Sequence, residues 1–242
     1  MNVGAVIDYM TPAAQDVQRK KFTIQIKKAL EETGVQDGGR VGVDVPDPVM
    51  IDALRKEGVN IVPDGNRLMM EAREIKTKYE LESHKTAASI VEACFETLRE
   101  ELKLGVKGHE LVGSMYKTAY EEGADSVFGI ALCSGRDTWP NYKGVASNSI
   151  IRPRDIVFVD IILTVNGYHT CYYRTFSVGS PQQETKDAYE RIYNWLYDAV
   201  KAIKPGATTK DLAEKWPDET KIWGMESADE GAASNWGHGL GL

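Results

Sequence analysis

The feature that most constrains the fold is a pair of apolar runs flanking Asn166-Gly167. The first run, residues 156–165, reads IVFVDIILTV, and the second, residues 168–178, reads YHTCYYRTFSV. Both are rich in β-branched and aromatic residues, which favour strands. Asn-Gly between two such runs is the strongest short signal for a two-residue hairpin turn. The sequence therefore predicts an antiparallel hairpin over residues 155–178.

The predicted hairpin carries an acidic residue in the middle of its first strand. In the register that the turn sets, Asp160 lies directly opposite Tyr173. Because side chains alternate between the faces of a strand, one face of the hairpin should carry Asp160, Tyr173, Cys171 and His169. Asp160 and Cys171 are diagonal neighbours with backbones about 7 Å apart, so both side chains can reach one ion. A carboxylate in so apolar a strand is costly unless it is paired or bound to a metal.

Two interpretations of this pair stay open on the residues alone. Asp160 is either a salt-bridged or capping carboxylate beside a buried, inert Cys171, or the two bind a metal. A second motif favours the metal, because residues 235–242 (NWGHGLGL) place His238 between glycines that leave the imidazole unobstructed. His169 could assist as a ligand, although an exposed hairpin histidine is the commoner role.

The first part of the chain has α/β character. Apolar spacing predicts a helix over residues 18–34. A short strand follows at 40–44, then a helix from Pro48 to about Glu57, and a second strand at 59–62. This strand–helix–strand stretch is too small to be a complete domain and is typical of the end of one.

From about residue 76 the pattern changes to amphipathic helices. A long helix is predicted over residues 77–104, and a second from Gly108 to about residue 122. After the hairpin, a third helix over residues 184–203 ends before Pro205-Gly206. Thr208 or Thr209 can cap a short fourth helix.

Composition excludes several function classes. The net charge is -7 with scattered lysines and arginines, which argues against nucleic acid as a partner. No apolar stretch approaches the roughly 20 residues that span a bilayer, and no signal peptide is recognisable, so we expect a cytoplasmic location and no membrane partner. Three cysteines without a C-x-x-C pair make a disulfide framework unexpected. His84 and His109 are predicted to be surface residues.

Together these motifs resemble the pita-bread metallopeptidase family, which includes prolidase, aminopeptidase P, methionine aminopeptidase and creatinase. The pattern Val159-Asp160, Asn166-Gly167-Tyr168 and Arg174-Thr175-Phe176 resembles its metal-binding hairpin, and Gly237-His238-Gly239-Leu240-Gly241 resembles its histidine loop. The resemblance implies an α+β pita-bread fold over residues 73–242, incomplete at the C-terminus. Residues 1–72 would be the tail of a creatinase-like α/β N-terminal domain.

The resemblance also implies a site with two divalent ions, Mn, Co or Zn, held by two aspartates, one histidine and two glutamates. Asp160 matches the first aspartate and His238 the histidine, whereas Cys171 stands at the second aspartate position. A thiolate is a softer ligand and favours zinc. Alternatively Cys171 binds nothing, as in creatinase-like members, which hydrolyse a C–N bond without metal. The catalytic glutamate would lie beyond Leu242, so a chain ending there is expected to be inactive and poorly stable.

A further departure lies in residues 134–143 (SGRDTWPNYK). Peptidase members usually have a substrate-facing histidine near the end of this segment, where this chain has Asn141, Tyr142 and Lys143. Trp139 and Tyr142 are candidate substrate-binding residues, though aromatic residues serve equally often in packing. The segment resembles non-peptidase relatives, including a dimethylsulfoniopropionate lyase branch.

The resemblance therefore predicts a metal-dependent hydrolase similar to Xaa-Pro dipeptidase or aminopeptidase P. It would act on a small peptide or small molecule, use a metal-activated water, and form a homodimer. The alternatives are a creatinase-like amidohydrolase or a sulfonium lyase on the same fold, and an inactive fragment or pseudoenzyme. Substrate profiling with and without a chelator separates these classes.

Overall fold

The computed structural model describes residues 11–35, 38–44, 47–138, 146, 148–217 and 237–241. These residues belong to two compact units that divide between Lys76 and Thr77. Within them, no helix combines the length and apolar character that crossing a membrane requires.

The first unit is a small α/β assembly. Its elements in chain order are α1 (Pro12–Glu32), β1 (Arg40–Gly42), α2 (Pro48–Lys56), β2 (Asn60–Val62) and α3 (Gly65–Glu74). β1 and β2 pair in parallel, so the predicted strand–helix–strand stretch is confirmed. The Asp47 side chain caps α2 by accepting a hydrogen bond from the Met50 backbone N–H at 2.8 Å, and Pro48 occupies the first turn.

Helix α3 was not predicted, and its start depends on a tertiary contact. It begins at Gly65, which packs against β1 so closely that an added Cβ would lie 2.2 Å from the Val43 backbone nitrogen. Only glycine fits that approach. Sequence alone does not reveal this requirement, because it comes from a contact with residues more than 20 positions earlier in the chain.

The second unit opens with the two predicted amphipathic helices, α4 (Lys78–Glu101) and α5 (Gly108–Glu121). A capping box starts α4: the Thr77 N–H donates to the Glu80 carboxylate at 2.6 Å, and the Glu80 N–H donates to the Thr77 hydroxyl at 3.3 Å. The fully buried face of α4 carries Ala87, Val91, Cys94 and Leu98, and that of α5 carries Leu111, Met115 and Ala119. The predicted apolar face of α4 is therefore confirmed.

These helices cover one face of an antiparallel sheet. Its strands are β3 (Ser126–Ser134), β4 (Ile156–Val165), β5 (Tyr168–His169) and β6 (Tyr172–Ser177), with β4 between β3 on one side and β5 and β6 on the other. The helix-facing side of β4 is fully buried and consists of Val157, Val159, Ile161 and Leu163. Burial of each such side chain stabilises the folded state by about 1.5–3 kcal/mol. A shift of β4 by one residue would move all of them to the other face, so their burial fixes the register of the strand.

The predicted hairpin is confirmed at its turn and in its register. Asn166 and Gly167 have φ values of 52° and 82°, as a type I′ turn requires. Thr164 pairs with His169, and Asp160 pairs with Tyr173.

The second strand of the hairpin is interrupted between β5 and β6. Thr170 lies in the gap, where its N–H donates to the Leu163 carbonyl at 2.9 Å. Its hydroxyl oxygen accepts from the Leu163 N–H at 3.3 Å and so replaces a backbone carbonyl in the ladder. The expectation of one continuous strand was wrong here, because a side chain takes over a backbone hydrogen bond.

Two more helices follow the hairpin, α6 (Gln183–Ala202) and α7 (Thr209–Ala213). Thr208 caps α7, as predicted, and accepts from the Asp211 N–H at 3.3 Å. In α6, Ala199 is buried, whereas an apolar stripe is 45–55% exposed and consists of Tyr189, Ile192, Tyr193, Leu196 and Val200.

Candidate metal centre

Asp160 lies at the centre of the sheet and is almost completely buried. It sits in the middle of β4, pairs with Ala131 and Tyr173 on the neighbouring strands, and is 8% exposed. Burial raises the pKa of its carboxyl, while a hydrogen bond from the Tyr173 hydroxyl and the nearby charge of His238 act in the opposite direction. A carboxylate held here carries a desolvation cost that a bound cation would offset.

Cys171 lies beside Asp160, in the gap between β5 and β6. Its thiol donates to the Asp160 Oδ1 atom with a sulfur–oxygen distance of 4.0 Å, which is the diagonal contact that the register predicted. Burial raises the pKa of this thiol, a hydrogen bond from Tyr173 lowers it, and the Asp160 charge raises it again. Without a cation, Cys171 is therefore a protonated thiol.

The glycine-rich loop that carries His238 lies against the hairpin. The Gly241 carbonyl accepts a hydrogen bond from the His169 N–H at 3.0 Å and lies 3.3 Å from the His169 Nδ1 atom. His169 is partly buried and anchors this loop, which is a role that sequence reasoning did not assign to it. The anchoring brings His238 near enough to Asp160 for its charge to affect the carboxyl.

The imidazole of His238 is exposed and has one nitrogen already engaged. Its Nδ1 atom lies 2.9 Å from the Gly239 carbonyl oxygen. When Nδ1 carries the proton and donates it to that carbonyl, Nε2 is the nitrogen that can bind a metal. Metal-bound histidines are commonly oriented by such a hydrogen bond.

The structure thus brings two predicted ligands, Asp160 and Cys171, into contact, and the loop that carries His238 is hydrogen-bonded to the same hairpin through Gly241. Among the described residues, however, no three His, Cys, Asp or Glu side chains are arranged closely enough to hold an ion as they stand. The other two predicted site residues, Trp139 and Tyr142, lie outside the described residues.

The donors can be tested against the geometry of a metal site. An oxygen and a sulfur on one tetrahedral zinc are about 3.5 Å apart, given bond lengths of about 2.0 and 2.3 Å. The Asp160–Cys171 separation of 4.0 Å is close to that value. One carboxylate, one thiol and one imidazole suit a single zinc ion better than manganese, which prefers oxygen ligands. Among the described residues, the Asp160–Cys171 pair is thus spaced for one ion, whereas a third donor is not within reach as the structure stands.

Sequence reasoning missed the contacts that hold the hairpin tip against α4. The Tyr168 hydroxyl donates to the Glu80 carboxylate at 3.1 Å, and the Asn166 amide donates to the Ser83 hydroxyl at 3.3 Å. The Tyr168 ring also meets the His84 ring edge-on, with centroids 5.3 Å apart. These contacts position the turn that precedes Cys171.

The prediction that His84 is a surface residue was wrong. Both of its ring nitrogens are buried and have no hydrogen-bond partner. A signal existed, because His84 precedes Ala87 and Val91 by three and seven residues and therefore lies on the buried face of α4. His109, in contrast, is exposed as predicted.

Three comparisons with known proteins are informative. Residues 82–242 match the model of metallopeptidase family M24. A Xaa-Pro dipeptidase from Pyrococcus furiosus is 30% identical over 177 residues, which are 72% of this chain and 49% of that protein. The chain thus spans about half the length of the curated relatives that it matches.

Solved structures agree with this match. Prolidase from Pyrococcus furiosus has a TM-score of 0.69 and 28% identity, covering 76% of this chain and 55% of that one. A Xaa-Pro dipeptidase from Bacillus anthracis has a TM-score of 0.71 and 28% identity, covering 84% and 57%. The predicted pita-bread fold is confirmed by these likenesses.

Proposed function

This chain belongs to metallopeptidase family M24, and we propose that the protein is a metal-dependent hydrolase that cleaves Xaa-Pro peptides. The observation that carries the proposal is the contact of Cys171 with the buried Asp160 at 4.0 Å on a hairpin whose His169 holds the loop of His238. The similarity to proteins named Xaa-Pro dipeptidase supports the choice of substrate class.

The proposed ligands are the Asp160 carboxylate, the Cys171 thiolate and the Nε2 atom of His238. A bound divalent ion would lower the pKa of a water and polarise the scissile carbonyl. The thiolate favours zinc over manganese at this position. Metal binding would require Cys171 to lose its proton, so zinc occupancy should fall at low pH.

Each ligand is held by a different local structure. β4 fixes Asp160 through pairing on both sides, and the Thr170 interruption releases Cys171 from the ladder. The contact between Gly241 and His169 keeps the His238 loop beside them.

We extend the proposal to the substrate-binding residues, the N-terminal domain, the location and the oligomeric state that the sequence predicted. Trp139 and Tyr142 would contact the substrate, where their rings suit an apolar proline. The first compact unit would be the end of an N-terminal α/β domain. The protein would act in the cytoplasm as a homodimer on small peptides.

The test is hydrolysis of Xaa-Pro dipeptides by the protein purified at its native length, with and without a chelator. Chelation should abolish turnover, and zinc should restore it. His238→Ala should lose turnover, whereas His109→Ala, which changes an exposed histidine on α5, should keep it. Turnover that survives chelation, or that His238→Ala leaves unchanged, would rule the proposal out.

One observation favours a second candidate, a metal-free amidohydrolase of the creatinase type. Cys171 contacts Asp160 as a protonated thiol, so the two groups form a hydrogen-bonded pair without any ion. In that case creatine-like compounds would be hydrolysed in the presence of chelator, and Xaa-Pro dipeptides would not.

A further inference from the structure

The loop that carries His238 meets the hairpin at the outer edge of β5. The Thr170 N–H points towards β4, where it donates to the Leu163 carbonyl at 2.9 Å. Because residues along an antiparallel strand alternate between hydrogen-bonded and non-hydrogen-bonded positions, the N–H of the preceding His169 points away from β4. The Gly241 carbonyl lies on that side and accepts a hydrogen bond from it at 3.0 Å. The backbone of His169 therefore joins the loop to the hairpin.

The imidazole of His169 makes a second contact with the same carbonyl. Its Nδ1 atom lies 3.3 Å from the Gly241 oxygen. The ring is partly buried and meets the Phe128 ring edge-on, with centroids 6.3 Å apart and planes at 76°. Phe128 stands where the register of β3 shifts between Val127 and Gly129, and such a bulge re-aims a side chain. The His169 ring thus contacts a neighbouring aromatic ring as well as the loop.

We propose that the side chain of His169 is a positioning residue of the metal centre. Its Nδ1–H holds the Gly241 carbonyl and so keeps His238 close to the hairpin. This inference rests on the proposed function. The neutral ring with its proton on Nδ1 and the charged ring both donate from this atom, so the role does not depend on the charge of the imidazole. His169 acts through the loop and is not itself a ligand.

The flexibility of the loop makes such a tether important. His238 is exposed and lies between two glycines, which lose more conformational freedom on ordering than any other residue. An ion that recruits His238 from an untethered loop must offset this loss, whereas a loop already held at Gly241 has less freedom left to lose. Among the described residues, the Asp160–Cys171 pair has no third donor in place. The ease with which His238 reaches the ion should therefore set the affinity for zinc.

Two substitutions at position 169 separate the hydrogen bond from the bulk of the side chain. His169→Asn keeps a donor, because the amide nitrogen of asparagine is bonded to Cγ as Nδ1 is in histidine. His169→Leu keeps an apolar side chain beside Phe128 and removes the donor. Loss of one hydrogen bond typically changes an equilibrium about 2- to 10-fold. We expect the zinc affinity of the native-length protein, measured by competition with a coloured chelator, to fall by that factor in His169→Leu and to recover in His169→Asn.

A second measurement uses the chelated protein and so does not depend on zinc. Nuclear magnetic resonance relaxation of backbone amides reports the picosecond-to-nanosecond mobility of residues 239–241. His169→Leu should raise this mobility, and His169→Asn should match the wild type. His109→Leu, at an exposed histidine of α5, should leave it unchanged. A variant that merely destabilised the fold would lower the melting temperature without loosening this segment selectively.

Failure of this role and failure of the metal centre are distinguishable. If His169→Leu binds zinc as tightly as the wild type and its loop is as ordered, the positioning role is refuted and the metal centre stands. If His169→Asn and His169→Leu lose zinc equally while the loop of His169→Asn stays ordered, His169 is a ligand and the positioning role is again refuted. If the wild type binds no zinc, the metal centre is refuted and the role of His169 in it as well.

Discussion

Replacing Asp160 by asparagine should change the stability of the protein in opposite directions with and without metal. In the metal-free protein the carboxylate is 8% exposed, and burial raises its pKa. Asparagine keeps the shape of the side chain but removes the buried charge. The substitution should therefore relieve on the order of 1 kcal/mol of desolvation cost at neutral pH.

The sign of the pH dependence follows from the raised pKa. An unfolded aspartate ionises near pH 3.9, before the folded one does, so the folded state loses stability as the pH rises from there through the folded pKa. Well below pH 3.9 the carboxyl is protonated in both the folded and the unfolded state. The desolvation cost of the charge is then absent, so it should no longer make the wild type less stable than Asp160→Asn. The advantage of the variant should therefore grow as the pH rises.

Zinc should reverse the order. An ion present at 100 times its dissociation constant stabilises the folded state by about 2.7 kcal/mol. For a chain of this length that corresponds to a rise in melting temperature of about 5–10 °C. The wild type should show this rise and Asp160→Asn should not, because the amide is a weak ligand.

The assay is thermal unfolding followed by circular dichroism, at several pH values, with chelator or with zinc. Asp125→Asn, at an exposed aspartate, controls for the loss of one negative charge. The reasoning is refuted if Asp160→Asn destabilises the chelated protein, or if zinc raises the melting temperatures of wild type and variant equally.

Other predictions concern the thiols, a helix cap and a close backbone contact. Alkylation at pH 8 should modify Cys171 and spare Cys94, because burial raises the pKa of the Cys94 thiol to about 11. Zinc should protect Cys171 from alkylation, and peptide mass spectrometry measures both outcomes. Thr77→Ala should lower the free energy of unfolding by about 1 kcal/mol, because it removes the capping box of α4. Thr86→Ala, in the middle of the same helix, should leave the free energy of unfolding almost unchanged. If denaturant titrations show that both variants lose the same free energy of unfolding, the capping argument is contradicted. Gly65→Ala should unfold the first compact unit, because the added Cβ would lie 2.2 Å from the backbone nitrogen of Val43, next to β1. Unchanged amide-exchange protection in this unit would contradict the prediction.

The hairpin could be predicted in detail because its signals are local. The turn dipeptide fixes the pairing of Thr164 with His169, and the alternation of buried residues on β4 fixes which face Asp160 occupies. The approach of Cys171 to Asp160 follows from that register alone. The interruption at Thr170 does not, since it depends on a side-chain hydroxyl competing with a backbone carbonyl.

What the sequence did not reveal depends on tertiary contacts. Tyr173 was correctly paired with Asp160, but the packing of its ring on Phe158 depends on a rotamer that strand periodicity does not specify. His169 was weighed as a ligand or an exposed residue, and its contact with Gly241 joins segments more than 70 residues apart. His84 was predicted to lie at the surface, on the polar side of its helix, whereas its spacing from Ala87 places it on the buried face. Polar residues at buried helical positions deserve the same test of spacing as apolar ones.

The measurement that tests the central claim most directly is X-ray absorption at the zinc edge on the native-length protein after zinc loading. The account predicts one sulfur neighbour at about 2.3 Å together with nitrogen and oxygen neighbours at about 2.0 Å. The sulfur signal should disappear in Cys171→Ser, along with much of the zinc. A bound ion surrounded only by nitrogen and oxygen, or a wild-type protein that binds no zinc, would contradict the assignment of Asp160, Cys171 and His238 as a metal centre.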